Sequence, residues 1–387
     1  MIPTRMLLRR MSNNVRHQSI LSQRAEVQQE EPIRIIRTTE DNPQKHNRDH
    51  LNRFYTVPKN AVSQVMPRTS MPRRLHIQIK TFREACIMVR EPAIELISYL
   101  EQTDYSKPPN KYVLYGPVGS GKTLTLMHLL HYGYVTQKIL VHIPWIPDWF
   151  RKRGPSNPCQ RVEGLFDLPV AGAQWLVRFK SQNNHLLSKL DIRLSKNYVW
   201  NTREQNSAGT PLQDMIDFGI GRGKYTCDVI DALLKELKIA STSGHCNTLV
   251  LLDGVNAFFG EDTRVKDSTF KPLYAQRVSL TQSFLDFIKY DWCNGAIIAT
   301  VDSLAVKGEN QFDSTYPRFL LGKLGFEHLD PFLPIEVPNY SEDEFDAAIE
   351  YLKDRIWIRN LTEAGKRELE LLSNRNPYKL MRLTASI

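Results

Sequence analysis

Apolar residues fall in two rhythms along this chain. Short unbroken runs recur at "KYVLYG", at "KILVHIP" (138–144), within "NTLVLLDG" (248–252), within "GAIIATVDS" (near 296–300) and at "LPIEVPNY". A run of four to six apolar residues bounded by polar or Gly positions predicts a strand buried on both faces. Longer stretches between them carry apolar residues three and four apart, which predicts helices laid over those faces. "TLTLMHLLHYG" predicts a helix that stops at Gly133, and "DVIDALLKELKIA" predicts an amphipathic one. In "SEDEFDAAIEYLKDRI", Ser341 with Glu344 three residues later forms a capping box, opening a helical segment over 336–387. "TFREACIMVREPAIELISYL" offers the same box at Thr81 and Glu84, with Phe82, Ala85, Val89, Leu96 and Leu100 at helical spacing. The expectation is a helix across that stretch, kinked or divided at Pro92. Strands alternating with helices place the chain among α/β folds with a parallel sheet. The core is expected over 76–335, with insertions over about 145–245 where the interval between strands is too long for a simple connection.

The rhythm is lost before residue 75. Residues 26–75 are polar, rich in Gln, Asn, Arg and Pro, and predict an extended basic arm that orders on a partner, although "DHLNRFYTVP" keeps enough apolar surface to dock. Residues 1–25 hold five Arg and no Asp or Glu, with Ser interspersed, the profile of a mitochondrial transit peptide. Charge sharpens this division. The formal net charge is +9, yet residues 1–80 contribute 15 Lys+Arg against 6 Asp+Glu and the remainder 36 of each. A neutral body with a basic arm does not suit a stand-alone, nonspecific nucleic-acid binder; it suits a protein that meets other proteins and has local basic patches. No window approaches the length of a membrane span. Cys86, Cys159, Cys227, Cys246 and Cys293 are scattered without a C-x-x-C pair, and read as free thiols rather than a disulfide framework or zinc knuckle.

Chemistry enters at "GPVGSGKT". Gly116, Pro117, Val118, Gly119, Ser120, Gly121, Lys122 and Thr123 fit G-x-x-x-x-G-K-[ST] in full, between a predicted strand and a predicted helix. Glycines let backbone N–H groups converge on phosphate oxygens, and the helix adds its positive end. Lys122 would reach the outer phosphates and the Thr123 hydroxyl would ligate Mg²⁺. "LVLLDG" supplies the partner, a strand ending in Asp253 whose carboxylate would hold the Mg²⁺ shell through water. The fold expected is thus a parallel-sheet P-loop NTPase, to be compared with the ATPases of the additional-strand type. Such proteins often carry a Glu after that Asp to activate water, and here the residue is Gly254. Asn256 would position water but is a poor base, and Glu261 or Asp262 stand as substitutes. Thr300, Asp302 and Ser303, at the end of the fourth strand, are candidates to sense a terminal phosphate. Arg375 would either reach back to the nucleotide or face solvent or RNA. "GIGRGK" (219–224) lacks a preceding strand and reads as a turn. His128 and His131, three apart, read as a surface or half-buried face rather than a metal pair. The N-K-x-D signature that reads guanine is absent, so the base stays open between guanine and adenine.

"HLNRFYTVP", "KTFREACIMVREPAIELISYL", "YVLYGPVGSGKTLTLMHLLHYG", "LVLLDGVNAFFG" and "NRNPYKL" together resemble the mitochondrial small-subunit ribosomal protein twenty-nine family, also called the death-associated protein three family. The resemblance implies an AAA+-like domain in the head of the mitochondrial small subunit, in the matrix. Its implied partners are neighbouring small-subunit proteins, ribosomal RNA and large-subunit bridge proteins, and it would not work as a free monomer. It further implies GTP or GDP with Mg²⁺, ATP not being excluded, a nucleotide site at Gly116–Thr123 with Asp253 near the metal, and a link to apoptosis. Gly254 speaks for little or no turnover; the alternative is a switch or remodelling NTPase with genuine hydrolysis.

Overall fold

The computed structural model describes residues 35–385 except 153, 262 and 309–311; the transit peptide expected over 1–25 lies outside the described residues. In chain order the elements are β1 (Phe54–Thr56), α1 (Lys59–Val65), α2 (Arg73–Phe82), β2 (Cys86–Met88), α3 (Glu91–Gln102), β3 (Asn110–Tyr115), α4 (Lys122–Val135) and β4 (Ile139–Ile143). There follow α5 (Pro169–Leu190), α6 (Leu212–Gly221), α7 (Thr226–Thr242), β5 (Thr248–Leu252), α8 (Ser279–Phe287), β6 (Gly295–Thr300), α9 (Pro317–Leu329) and β7 (Leu333–Glu336). The chain ends in α10 (Glu342–Asp354), α11 (Glu363–Ser373) and α12 (Pro377–Thr384).

The five apolar runs become β3 to β7, which form one sheet in the order β7–β3–β6–β5–β4, every pairing parallel. The strand β6 lies between β3, which feeds the glycine-rich loop, and β5, which ends at Asp253. That inserted strand defines the additional-strand arrangement, so the fold class expected from the sequence is the one observed. Alternation along each strand sorts side chains to two faces. Val113, Val141, Val250, Leu252 and Ile297 join one core with the insertion helices α5, α6 and α7; Leu114, Leu140, Leu249, Leu251 and Ile298 join the other with α3 and α4. Pairing of Leu114 with Thr300 and of Ile143 with Leu252 aligns the carboxyl ends, so the loop and Asp253 open onto one rim. Ligands of open α/β sheets bind at such a rim.

The stretch 81–100 folds differently from expectation. Helix α2 ends at Phe82, Arg83 takes a left-handed conformation (φ 57°), and β2 pairs antiparallel with β1, Phe54 opposite Met88. Thr81 does not cap; its hydroxyl donates to the Ile77 carbonyl of its own helix. Pro92 neither kinks nor divides a helix but sits in the first turn of α3, where its missing N–H costs nothing. The paired run 86–88 is too short to announce itself against the helical spacing around it. Residues 36–75 pack on the body from Ile36 onward. Tyr55, Val57, Ala61 and Val65 enter the core under α4, while Phe54 joins a third apolar cluster with α10, α11 and α12. Both ends of the described chain therefore build that third cluster. All five cysteines are free thiols, and no helix among the described residues is long and apolar enough to cross a membrane.

Candidate functional site

β3 runs into the loop 116–121, and α4 begins at Lys122 with Gly121 as its N-cap and no side chain capping it. Gly116 has φ +137°, and a Cβ there would overlap the Val337 carbonyl oxygen, so the turn out of the strand accepts only glycine. Among the described residues, the N–H groups of Gly121, Lys122 and Thr123 have no partner within the chain. Free amides at the start of a fourteen-residue helix are the donor set a phosphate group requires.

Lys122 is buried, and its Nζ donates to the carbonyls of Gly116 (2.8 Å) and Pro117 (2.9 Å) while pairing with Asp302 at 3.0 Å. The ammonium is thus held directly above the loop, with its charge balanced from the end of β6. Opposite it, Thr123 Oγ1 donates to Asp253 Oδ2 (2.7 Å) and Thr300 Oγ1 donates to Asp253 Oδ1 (2.5 Å). Thr300 in turn accepts the Gly254 N–H at 2.8 Å. Burial pushes the Asp253 carboxyl up to about 6, against the pull of the two threonines and Lys122; Asp302 adds to the rise. A carboxylate ionised at such expense, touching a hydroxyl beside free amides, is the donor chemistry that a divalent cation bridging to phosphate would satisfy. The residues present therefore fit Mg²⁺ with a phosphorylated ligand.

Of the residues proposed to support turnover, the site gathers some and excludes others. Thr300 and Asp302 stand in it as described; Ser303 is buried alongside but takes no part in these hydrogen bonds. Asn256 spends both ends of its amide on the Asp302 backbone, at 3.0 and 3.2 Å, and so pins the end of β6 rather than positioning water. Gly254 has φ +77°, and a Cβ there would stand 3.0 Å from a Trp145 ring carbon and 3.2 Å from Pro147 Cδ. Glu261 is exposed, and Asp262 lies outside the described residues. Arg375 does not reach the nucleotide side: it pairs with Glu370, five residues back.

Sequence reasoning missed the residues that hold the loop from outside. Asn376 Nδ2 donates to the Val118 carbonyl (3.0 Å), the Tyr378 N–H to that of Gly119 (3.2 Å), and Arg90 to that of Ser120 (2.7 Å). Arg90 is buried and also grips Glu344 with two nitrogens, at 2.8 and 3.0 Å. The one available signal was Asn376 before Pro377, the N-cap of α12, which says nothing about a partner 258 residues away.

His128 and His131 are not surface residues; each is 1 % exposed. The incoming segment covers them, with His46 Nδ1 2.9 Å from His128 Nε2 and the Tyr55 hydroxyl 3.4 Å from His131 Nδ1. Burial first, then neighbouring imidazoles, drives His128 well below the ordinary range and His131 down to about 4. Among the described residues, ligand atoms that could share a metal ion gather at Cys159, Asp167 and Asp228, where Arg161 already pairs with Asp228. "GIGRGK" lies at the end of α6 and in the single turn after it.

Residues 87–383 match the model of a family described as mitochondrial ribosomal death-associated protein 3. The small ribosomal subunit protein mS29 of Mus musculus is 36% identical over 376 residues, covering 96% of this chain and 95% of that protein. The protein of the same name from Bos taurus is 38% identical over 354 residues, covering 91% and 88%. Among solved structures, a Walker-type ATPase of Pyrococcus abyssi overlays with 14% identity and a TM-score of 0.39, covering 76% of this chain and 65% of that one. An ADP-form ORC2 protein of Aeropyrum pernix overlays with a TM-score of 0.38 and 15% identity, covering 79% and 65%. Both superpose too loosely to add to the strand order.

Proposed function

Because the chain belongs to the mitochondrial ribosomal death-associated protein 3 family, we propose that it is a component of the small subunit of the mitochondrial ribosome, in the matrix, whose phosphate loop holds a guanine nucleotide with Mg²⁺ and turns it over slowly or not at all. Its partners on this proposal are small-subunit proteins, ribosomal RNA and proteins of the bridges to the large subunit.

The amides of Gly121, Lys122 and Thr123 would bind the phosphates, Lys122 would balance their outer charge, and Thr123 with Asp253 would hold the cation. When bound, Mg²⁺ supplies charge neutralisation between the phosphates and a fixed water shell. The observation that carries the absence of turnover is Gly254. Its left-handed backbone and the ring of Trp145 fill the place from which a water-activating Glu would project. A ligand that binds only the native state stabilises it in proportion to its occupancy, so a held nucleotide acts as part of the fold.

Extraction of nucleotide from the purified full-length protein, followed by chromatography, tests this directly. A stoichiometric guanine nucleotide is expected, and Lys122→Ala should lower its occupancy and the melting temperature together. Recovery of adenine nucleotide overturns the base assignment, and rapid multiple turnover overturns the structural role.

One observation favours the alternative of a hydrolysing switch. Asp302 places a carboxylate 3.0 Å from Lys122 on the rim where water would approach, and could accept a proton in place of the missing Glu. Hydrolysis that is abolished in Asp302→Asn with nucleotide affinity retained would establish it.

A further inference from the structure

Resting on the nucleotide reading above, we propose that Asn376 and Arg90 are positioning residues for the phosphate loop, and that a nucleotide on its inner side and the C-terminal helices on its outer side stabilise one another. A peptide unit presents its N–H and its carbonyl in opposite directions. The peptide unit that turns the free Gly121 amide inward sends the Ser120 carbonyl outward, and the carbonyls of Val118 and Gly119 also face away from the loop's inner side; all three need donors.

All three find one, and none from the loop itself. Val118 accepts from the Asn376 side chain, Gly119 from the Tyr378 amide and Ser120 from Arg90. The contact is close enough to dictate a residue: a Cβ on Gly119 would lie 2.6 Å from Tyr378 Cβ and 2.9 Å from Asn376 Oδ1. The bareness of this second glycine thus serves the C-terminal helices. Arg90 stacks over the Tyr340 ring (5.0 Å) and fastens to Glu344 in the first turn of α10, while Asn376 also donates to Asn339 Oδ1 at 2.8 Å. Arg74 of α2 lies over the Tyr378 ring at 4.3 Å. One loop conformation therefore serves two binding events on opposite sides. Coupling of this kind is reciprocal: whatever the docked helices add to nucleotide affinity, the nucleotide adds to their docking.

The test uses the full-length protein with Mg–GDP as probe, and Mg–ADP as a second arm. Affinity is read by titration calorimetry and docking by hydrogen exchange at the amides of 378–384. Saturation should slow exchange in α12 by about tenfold, and should leave it unchanged in Lys122→Ala. Arg90→Ala would strand the buried Glu344, so Asn376→Ser carries the comparison. Serine still caps the Lys379 amide but cannot reach Val118. It should weaken nucleotide binding about fivefold, the size of one net hydrogen bond, and reduce the protection of α12 on saturation. Saturation without protection of α12, or wild-type affinity in Asn376→Ser, overturns the coupling alone. Failure of the wild type to bind either nucleotide overturns the nucleotide reading, and the coupling with it.

Discussion

Two turns at the same rim of the sheet both depend on a glycine with positive φ, and they are built to opposite ends. At 116–121 the glycine-rich loop leaves β3 with its inner amides free, a hydroxyl and a lysine beside them, and its outer carbonyls held from behind. At 253–256 the chain leaves β5 through Gly254 into a space closed by Trp145 and Pro147, with Asn256 tied to the neighbouring strand end. The first turn is shaped to hold something; the second is shaped so that nothing projects. On the proposed function, holding and turnover are therefore separate properties of this rim.

The largest effect should come from the first turn. Gly116→Ala must abandon φ +137° or overlap the Val337 carbonyl, so we expect a loss above about 3 kcal/mol in chemical denaturation and no measurable nucleotide binding. Retained binding would mean that the loop tolerates a geometry the structure forbids.

Next comes pH, which probes two buried histidines, His131 on α4 and His142 on β4. His131 titrates at about 4 and His142 at about 3 when folded, both lowered by burial, against 6.5 when unfolded. The unfolded chain binds those protons first, so stability is lost as pH falls from 6.5. Each histidine should contribute about 2 kcal/mol of loss between pH 7 and 5. Asp253, raised to about 6, works in the other sense and returns about 1 kcal/mol over the same interval. Urea titrations at pH 7 and 5 should show a net loss of at least about 3 kcal/mol, since His128 is lowered as well; a rise in stability on acidification would refute the buried neutral histidines.

Smaller effects belong to the second turn. Gly254→Ala should cost about 1–2 kcal/mol through its backbone and Trp145, yet leave nucleotide affinity within twofold. Gly254→Glu should gain no hydrolysis, because its Cβ already crowds the Trp145 ring and Pro147 at a backbone that L side chains rarely adopt. A measurable rate in that variant would show that the two turns are less distinct than their geometry. Arg375→Ala, which removes only a partly exposed pair with Glu370, should change stability by less than about 0.5 kcal/mol and affinity not at all.

What was legible in the sequence was local. The five sheet strands announce themselves as apolar runs because a parallel sheet is buried on both faces, and "GPVGSGKT" carries its spacing within eight residues. What was hidden depends on distant partners. The run 86–88 is a strand only because Phe54–Thr56 lies beside it, so a helix across 81–100 was a fair but mistaken extrapolation from spacing. His128 and His131, polar and three apart, suggested a surface or half-buried face; here α4 is covered by the sheet on one side and by residues 43–65 on the other. Arg375 drew attention by its charge, while Asn376, uncharged and adjacent, is the residue that touches the loop.

That contact has a consequence for how the molecule is made. A polypeptide grows from its first residue, and the loop is spelled early, at 116–123. The donors for its outer carbonyls come from Arg90, already present, and from 376 and 378, which appear long after it. A chain that has not reached residue 376 holds every residue of the motif and lacks the donors that pair Val118 and Gly119. The cradle is thereby completed only with Asn376, made 258 positions after the carbonyl it holds.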